Sequence, residues 1–371
     1  MSGTSLNGVD AALLDLEHYP PKLIATHKDK IPEPLRKNIL TLCHSKSFKV
    51  NLFGKTDVEL GELFAEITLA LLSKTKLNAS DILAIGSHGQ TIGHFPDSTP
   101  PFTLQIGDPN VIAAKTRITT VADFRRRDMA LGGQAAPLAP AFHHYLFQQR
   151  SKDLCVLNIG GIANITFLPN NRNKPITGFD TGPGNVLMDM WCKKNKNKSY
   201  DQEGKWALTG KPNQDLLEIL LNDSYFHKSA PKSTGREYFN LKWLQSKQTS
   251  LNLSVAAEDI QATLLELTAR SISSAIKKAL KQPTLAYALQ TIWVCGGGAY
   301  NTALMKRLNE LCSCDVYSIK EQGIDPDWIE AAAFAWLAQQ TLLCKPGNIP
   351  SVTGAKSPSI LGAIYKGSMN I

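Results

Sequence analysis

The sequence predicts an α/β protein built in two lobes, and three observations carry that expectation. Apolar runs of strand length alternate with segments of helical periodicity from one end of the chain to the other. Glycine-rich turns stand beside three of those runs, at Gly3 to Gly8, at Gly160-Gly161 and at Gly296-Gly297-Gly298. The 371 residues, 43% hydrophobic and 19% charged, suffice for a large core and exceed the usual size of one domain.

Taken in order, residues 9–16 read as a strand and 22–27 as its partner across the turn at Tyr19-Pro20-Pro21. Thr56-Asp57-Val58-Glu59 has the form of a capping box, and Leu60, Leu63, Phe64, Ile67 and Leu71 follow at the spacing of one helical face. Short strands are expected over 82–86 and 102–106. Asp108 and Pro109 suit an N-cap and first helical residue for a helix reaching 115. A strand over 118–122 stops at Asp123-Phe124-Arg125-Arg126-Arg127-Asp128, and the loop 132–140, rich in Gly, Ala and Pro, marks a crossing between lobes. After a helix over 141–149, residues 155–159 and 162–168 flank Gly160-Gly161 as a hairpin. Helices are expected over 214–221, over 260–280 with Leu264, Leu267, Ile272 and Ile276 inward, and over 303–311, with a strand at 291–294. Residues 195–211 and 232–237 read as polar loop and turn. Asp325-Pro326-Asp327 opens a last, strongly apolar helix over 328–343.

Composition removes several function classes. No apolar run approaches the roughly 18 residues needed to cross a bilayer, and the first residues lack the basic start and apolar core of a secretion signal, so cytoplasmic residence and no membrane partner are the expectation. Seven scattered cysteines suggest no disulfide framework, and Cys312-Ser313-Cys314 is too isolated for a zinc site. The net charge of +8 comes with lysines grouped at 193–198 and at Lys277, Lys278 and Lys281, without interleaved aromatics or a nucleic-acid module, so these read as solvated helix ends and no nucleic-acid partner is expected. His143 and His144 are adjacent, point different ways on a helix, and read as ordinary helix surface rather than as metal ligands.

The most distinctive stretch is Gly178-Phe179-Asp180-Thr181-Gly182-Pro183-Gly184-Asn185. Small residues around one carboxylate let a ligand approach the backbone closely, which suits a general base; equally, Asp180 could cap a helix beginning near Pro183. The glycine turns expose backbone N–H groups that cradle phosphate oxygens, and Thr4, Ser5, Asn158 and Asn164 lie beside two of them; the alternative is three structural turns. A Walker loop is absent, because Ala355 stands between Gly354 and Lys356. The dinucleotide fingerprint fails at Leu187 and at Asn301, where its third glycine belongs, and no protein-kinase motif set occurs. There remains an arrangement in which glycine hairpins from two lobes hold the phosphates of ATP.

At Met1 to Asp10, Gly86 to Ile92, Leu104 to Gly107, Ala122 to Asp128, Leu157 to Ile162, Gly178 to Asn185, Pro231 to Glu237, Val294 to Gly298 and Glu330 to Trp336 the chain resembles the anhydro-N-acetylmuramic acid kinases. These belong to the sugar-kinase, heat-shock-ATPase and actin superfamily. The resemblance covers essentially the whole chain, with its motifs in the expected order. It implies a two-lobed actin-like ATPase (ribonuclease H-like) fold with ATP and sugar in the interlobe cleft, one lobe over 1–130 with the tail 345–371 returning to it, and the other over 131–344. It further implies ATP and Mg²⁺ as cofactors, a small sugar as substrate, and a reaction in which water opens the 1,6-anhydro ring while O6 takes the γ-phosphoryl group, in peptidoglycan recycling. A homodimer is left open.

By the same resemblance Gly3, Thr4, Ser5, Leu6, Asn7, Gly8, Val9 and Asp10 form the first phosphate loop, Asn158, Gly160 and Gly161 the second, and Gly296, Gly297 and Gly298 the adenosine-side turn. Asp180 becomes the base. Glu330, near the start of an apolar helix, would meet the sugar, its alternative being a surface glutamate at a helix N-terminus. Arg125, Arg126 or Arg127 would pair with the lactyl carboxylate, and His88 and Gln90 would line the same site. Two departures stand out: Asn7 replaces the family's usual Asp, and Met1 falls inside the first phosphate motif, so a native start upstream of it is expected, checked by intact mass. The alternatives are another sugar kinase of the superfamily, a protein-binding ATPase, and an inactive descendant.

Overall fold

Contacts divide the chain into two units, Met1–Gln148 with Trp328–Ile371, and Gln149–Asp327. The computed structural model describes residues 1–3, 6, 8–45, 47–171, 173–230, 232–249, 255–281 and 289–367. The first unit begins with β1 (Val9–Asp15), β2 (Lys22–Asp29), α1 (Glu33–His44), α2 (Val50–Ser73), β3 (Ile85–Gly86), β4 (Gln90–Phe95) and β5 (Phe102–Ile106). It continues with α3 (Pro109–Thr116), β6 (Thr120–Ala122), α4 (Arg126–Ala130) and α5 (Ala139–Leu146). The second holds β7 (Leu154–Ile159), β8 (Ile162–Leu168), β9 (Thr177–Pro183), α6 (Val186–Lys196), α7 (Gln214–Leu221), α8 (Ser224–His227), α9 (Leu241–Thr249), α10 (Ala257–Leu280), β10 (Thr291–Cys295), α11 (Thr302–Leu311) and β11 (Asp315–Ser318). The chain then returns to the first unit with α12 (Ile329–Leu342), α13 (Pro350–Thr353) and β12 (Ala363–Tyr365).

The second unit carries a five-stranded sheet in the order β11-β10-β7-β8-β9. β7, β8 and β9 form an antiparallel meander, and β10 and β11 run parallel to β7, which is the ribonuclease H-like arrangement. The β7–β8 hairpin falls where alternation around Gly160-Gly161 puts it. Leu157, Ile159, Ile165, Phe167 and Phe179 of the sheet pack with Leu264, Leu267, Ile272 and Ile276 of α10, the helix face expected from spacing. In the first unit the described strands form three separate ladders: β1–β2, the trio β12-β6-β3, and β4–β5. Leu60, Phe64 and Ile67 of α2 pack there with Val9, Ile39, Ile106 and Ile112.

Several expectations change. Thr56 caps nothing: α2 starts at Val50, and the Thr56 hydroxyl donates to the Leu52 carbonyl at 2.7 Å from within the helix. Asp108 does cap α3, accepting from Asn110 N at 2.8 Å. Residues 126–130, of which 126–128 were expected only to end the preceding strand, form α4, and β11 adds a strand not anticipated from the sequence. His143 is buried rather than on the helix surface, whereas His144 is exposed.

The boundary between units falls after Gln148 instead of near 130, and α12 joins the first unit. Asp128 supplies the reason. Its fully buried carboxylate accepts from Ala135 N at 2.8 Å, Thr353 Oγ1 at 2.8 Å and Asn348 Nδ2 at 2.7 Å, while Gln134 N donates to the Thr353 carbonyl at 2.7 Å. The loop 132–140 is thereby tied to 348–356 and is no linker. Asp128→Ala should strand three buried donors and lower stability by about 2–3 kcal/mol. Thermal melting checks this, and an unchanged melting temperature would remove the network from the account.

Candidate active site

In the second unit, the β7–β8 turn closes onto the junction of β9 with α6. The carbonyls of Gly160 and Gly161 accept the N–H groups of Asn185 (2.8 Å) and of Gly184 and Val186 (2.9 and 3.1 Å). The Asn185 side chain donates to the Ile159 carbonyl at 3.2 Å and lies 3.7 Å from where a Cβ on Gly297 would stand. Gly296 has φ +76°, and a Cβ there would collide with the Asn158 carboxamide, so this position requires glycine. Asn158, Gly160, Gly161, Gly296, Gly297 and Gly298, expected to serve one nucleotide site, are thus gathered around Ile159. Beyond Asn185 and Gly297 opens a cavity of about 730 Å³, also lined by Asp189, Asp201, Tyr300 and Lys320, which is the size of a nucleotide pocket. Burial pushes the Asp189 carboxyl up to about 7, Arg236 pulls it down and Asp201 pushes it further up.

Asp180 sits inside β9, opposite Asn164 of β8. The helix-cap alternative falls away, because α6 begins only at Val186 with Asn185 as its N-cap residue and Pro183 ends the strand. Three contacts hold Asp180: its N–H donates to the Lys232 carbonyl at 3.0 Å, its carbonyl accepts from Tyr225 OH at 2.8 Å, and its Oδ2 accepts from Thr234 N at 3.0 Å. Burial raises its pKa to about 6; the Thr234 N–H opposes this, Glu237 adds to it and Lys232 opposes it.

Residues 232–237 were expected as a polar turn without assigned chemistry. They hold Asp180 and lay the Arg236 guanidinium over Gly161, where an added Cβ would come within 2.9 Å of Nη2. The visible signal was a Thr-Gly-Arg-Glu run too polar for a core and too short for a linker. Asn185 and Asp189 carried no signal of their own.

In the first unit, Leu6 and Val9 are 3% and 1% exposed and belong to the core, so their side chains cannot reach a nucleotide. The N–H groups of Leu6 and Asp10 are spent on the carbonyls of Gly3 (3.1 Å) and Met1 (2.8 Å). Gly8 packs against the Asp29 carbonyl, and the Asp10 carboxylate lies 3.0 Å from Lys28 Nζ. Thr4, Ser5 and Asn7 lie outside the described residues.

His88 and Arg125 come together: Arg125 Nε donates to His88 Nε2 at 2.9 Å and Nη1 donates to the Ala135 carbonyl. Burial and then Arg125 hold the His88 pKa well below its usual range, which keeps the ring neutral against Phe334 at 4.5 Å. Burial also lowers Arg125 to about 10, with Glu330 and Asp128 opposing that fall. Glu330 is exposed in the first turn of α12. Among the described residues, buried His88 Nδ1 and Gln90 Oε1 meet the geometry of no hydrogen bond, although the Gly89 backbone lies close enough to His88 to raise its pKa slightly. Arg126 does not join this group: it is exposed and bonded to Asp123 at 2.7 Å. Arg127 is exposed as well.

The sequence profile of the anhydro-N-acetylmuramic acid kinase family matches residues 1–367. The chain is 54% identical over 368 residues to an anhydro-N-acetylmuramic acid kinase of Coxiella burnetii (strain Dugway 5J108-111), covering 99% of this chain and 96% of that one. It is 49% identical over 369 residues to the enzyme of that name from Saccharophagus degradans, covering 98% and 97%. Among solved structures, a chain of the PilM-PilN type IV pilus biogenesis complex aligns over 89% of this chain and 95% of its own at 12% identity, with a TM-score of 0.39, too slight a likeness to bear on function. No described helix is long and apolar enough to cross a membrane.

Proposed function

The chain belongs to the anhydro-N-acetylmuramic acid kinase family, and from that premise we infer that it phosphorylates 1,6-anhydro-N-acetylmuramic acid with ATP while hydrolysing the anhydro ring. The products are N-acetylmuramic acid 6-phosphate and ADP, in peptidoglycan recycling. The observation that carries the chemistry is Asp180, a partly buried carboxylate fixed by Thr234 N–H, with a pKa of about 6. At neutral pH it is ionised yet still basic enough to take a proton. Water attacks C1 and gives that proton to Asp180, the C1–O6 bond breaks, and O6 attacks the γ-phosphorus as ADP departs.

Phosphoryl transfer asks chiefly for positioning and charge stabilisation. The turn at Gly160-Gly161 and the Arg236 guanidinium beside it suit the phosphates, and the cavity bounded by Asn185, Gly297 and Tyr300 suits the nucleoside. Mg²⁺ would supply positive charge that offsets that of the phosphates. Mg²⁺ sites of this kind take one or two protein carboxylates, and the partly exposed Asp10 carboxylate, 3.0 Å from Lys28 Nζ, would be one of them. Arg125 suits the lactyl carboxylate, with His88 and Gln90 offering Nδ1 and Oε1 and Glu330 a second carboxylate to the sugar. Cytoplasmic residence completes the reading, to be checked by fractionation, and light scattering decides between monomer and homodimer.

The test compares anhydro and ring-opened sugar side by side. ADP release should depend on the anhydro sugar, and the product should carry phosphate on O6. Turnover of the open sugar alone would favour an ordinary sugar kinase, and turnover of neither would make the chain an inactive descendant.

A further inference from the structure

A second cavity of the second unit, about 300 Å³, has no part in the reaction derived above. Phe179 and Thr181 of β9 line it and Asp180 between them does not; Phe179 stands on the opposite side of β9 from Asp180 by strand alternation, and Thr181 is the extra residue of a bulge opposite Ala163 and Asn164. Its apolar wall is Phe179, Leu221, Phe226, Ala275 and Ala279. Its polar wall is basic: His227, Lys228, Lys232 and Lys278 all line it, and no Asp or Glu does.

The lysines are not consumed by acidic partners. Lys232 Nζ donates to the Tyr225 carbonyl at 3.2 Å and sits 4.5 Å from the centre of that ring, Lys228 lies 5.9 Å from the same ring, and Lys278 Nζ donates to the His227 carbonyl at 3.1 Å. Among the described residues none of the three forms an ion pair. The undescribed residues 231, 250–254 and 282–288 contain no carboxylate either. The Lys232 pKa is lowered by burial first, then by Lys278 and Lys228, with Asp180 opposing weakly. Three ammonium groups therefore repel one another at the rim of an apolar chamber, each with donors to spare.

We propose that this cavity is a binding site for a small phosphate monoester with an apolar body, its phosphate held by Lys228, Lys232 and Lys278 and its body against Phe179, Leu221 and Phe226. A phosphate monoester is close to dianionic at pH 7 and offers three acceptor oxygens, which matches three mutually repelling donors. The chamber lies at the lower end of ligand-pocket volumes, so the body is one ring or a short chain. The site rests on none of the groups assigned to ATP or sugar.

Phenyl phosphate is the probe, titrated calorimetrically into the full chain at low salt, with inorganic phosphate in parallel and each titration repeated in excess ADP. Phenyl phosphate should bind about tenfold or more tighter than inorganic phosphate, because only it buries an apolar ring. ADP should not displace it. The double variant Lys228→Gln, Lys278→Gln alters two exposed side chains, should melt as the parent does, and should weaken binding about tenfold or more. No binding, equal affinity for the two phosphates, displacement by ADP, or binding untouched by the double variant would each overturn the site. Since turnover is not read, these failures leave the kinase reading standing.

Discussion

Asp180→Asn should lower kcat by roughly 10²- to 10⁴-fold, the usual worth of general-base assistance, while the variant remains folded. The amide oxygen can still accept from Thr234 N, so the loop that fixes the side chain is retained. For the parent enzyme kcat/KM should rise with pH through about 6 and then level, because only the ionised carboxylate takes a proton from water. The residual activity of the variant should lose that limb. Stability supplies an independent readout. The folded pKa of about 6 lies above an unfolded value of about 3.9, so keeping Asp180 ionised in the folded state costs stability above pH 6 and costs nothing below about pH 4. The Asn variant should thus match the parent in acid and exceed it by about 1–2 kcal/mol at neutral pH, a figure reduced for partial solvent screening. A variant that is both inactive and less stable at pH 7 would show that Asp180 serves the fold instead.

Arg236→Ala should lower kcat by about 10²- to 10³-fold, as expected when one charge-stabilising donor is lost from a phosphoryl-transfer site. The guanidinium lies over Gly161, and Arg236 acts electrostatically on Asp189 in the nucleotide cavity, so the side chain is exposed yet placed by two neighbours. If Arg236 stabilises charge that develops during transfer, kcat falls much more than the ATP KM rises. Arg236→Lys should recover part of the rate, keeping the charge while losing the fork of donors. An equal rise in ATP KM with kcat preserved would make Arg236 a binding residue only. Loss of melting temperature in step with activity would make it structural.

Local patterns were legible where the competing structures differ locally. Alternation around Gly160-Gly161 admits little besides a hairpin, and Asp108 followed by Pro109 admits little besides a helix start. Thr56-Asp57-Val58-Glu59 was ambiguous because a threonine can cap a helix or bond back to the preceding turn. Residues 50–55 were helical too, so the back-bond to Leu52 won. The boundary between units was illegible for a related reason. A Gly-, Ala- and Pro-rich loop looks the same whether it links domains or is fastened by a buried carboxylate, and the fastening partners of Asp128 arrive from residues 348 and 353.

By itself the sequence determined the α/β class, the glycine turns, the family, and that Asp180 stands among residues small enough to admit a ligand, because these follow from short-range periodicity and from motifs readable in one dimension. Only the tertiary structure decided where Asp180 and its neighbours stand. Strand pairing placed it inside β9 rather than at a helix start, and burial together with Thr234, Glu237 and Lys232 set its acidity. Packing separated Arg125 from Arg126 and brought Arg236 over Gly161. Acidity, pairing and desolvation depend on which distant residues share a few ångströms, and no local pattern encodes that.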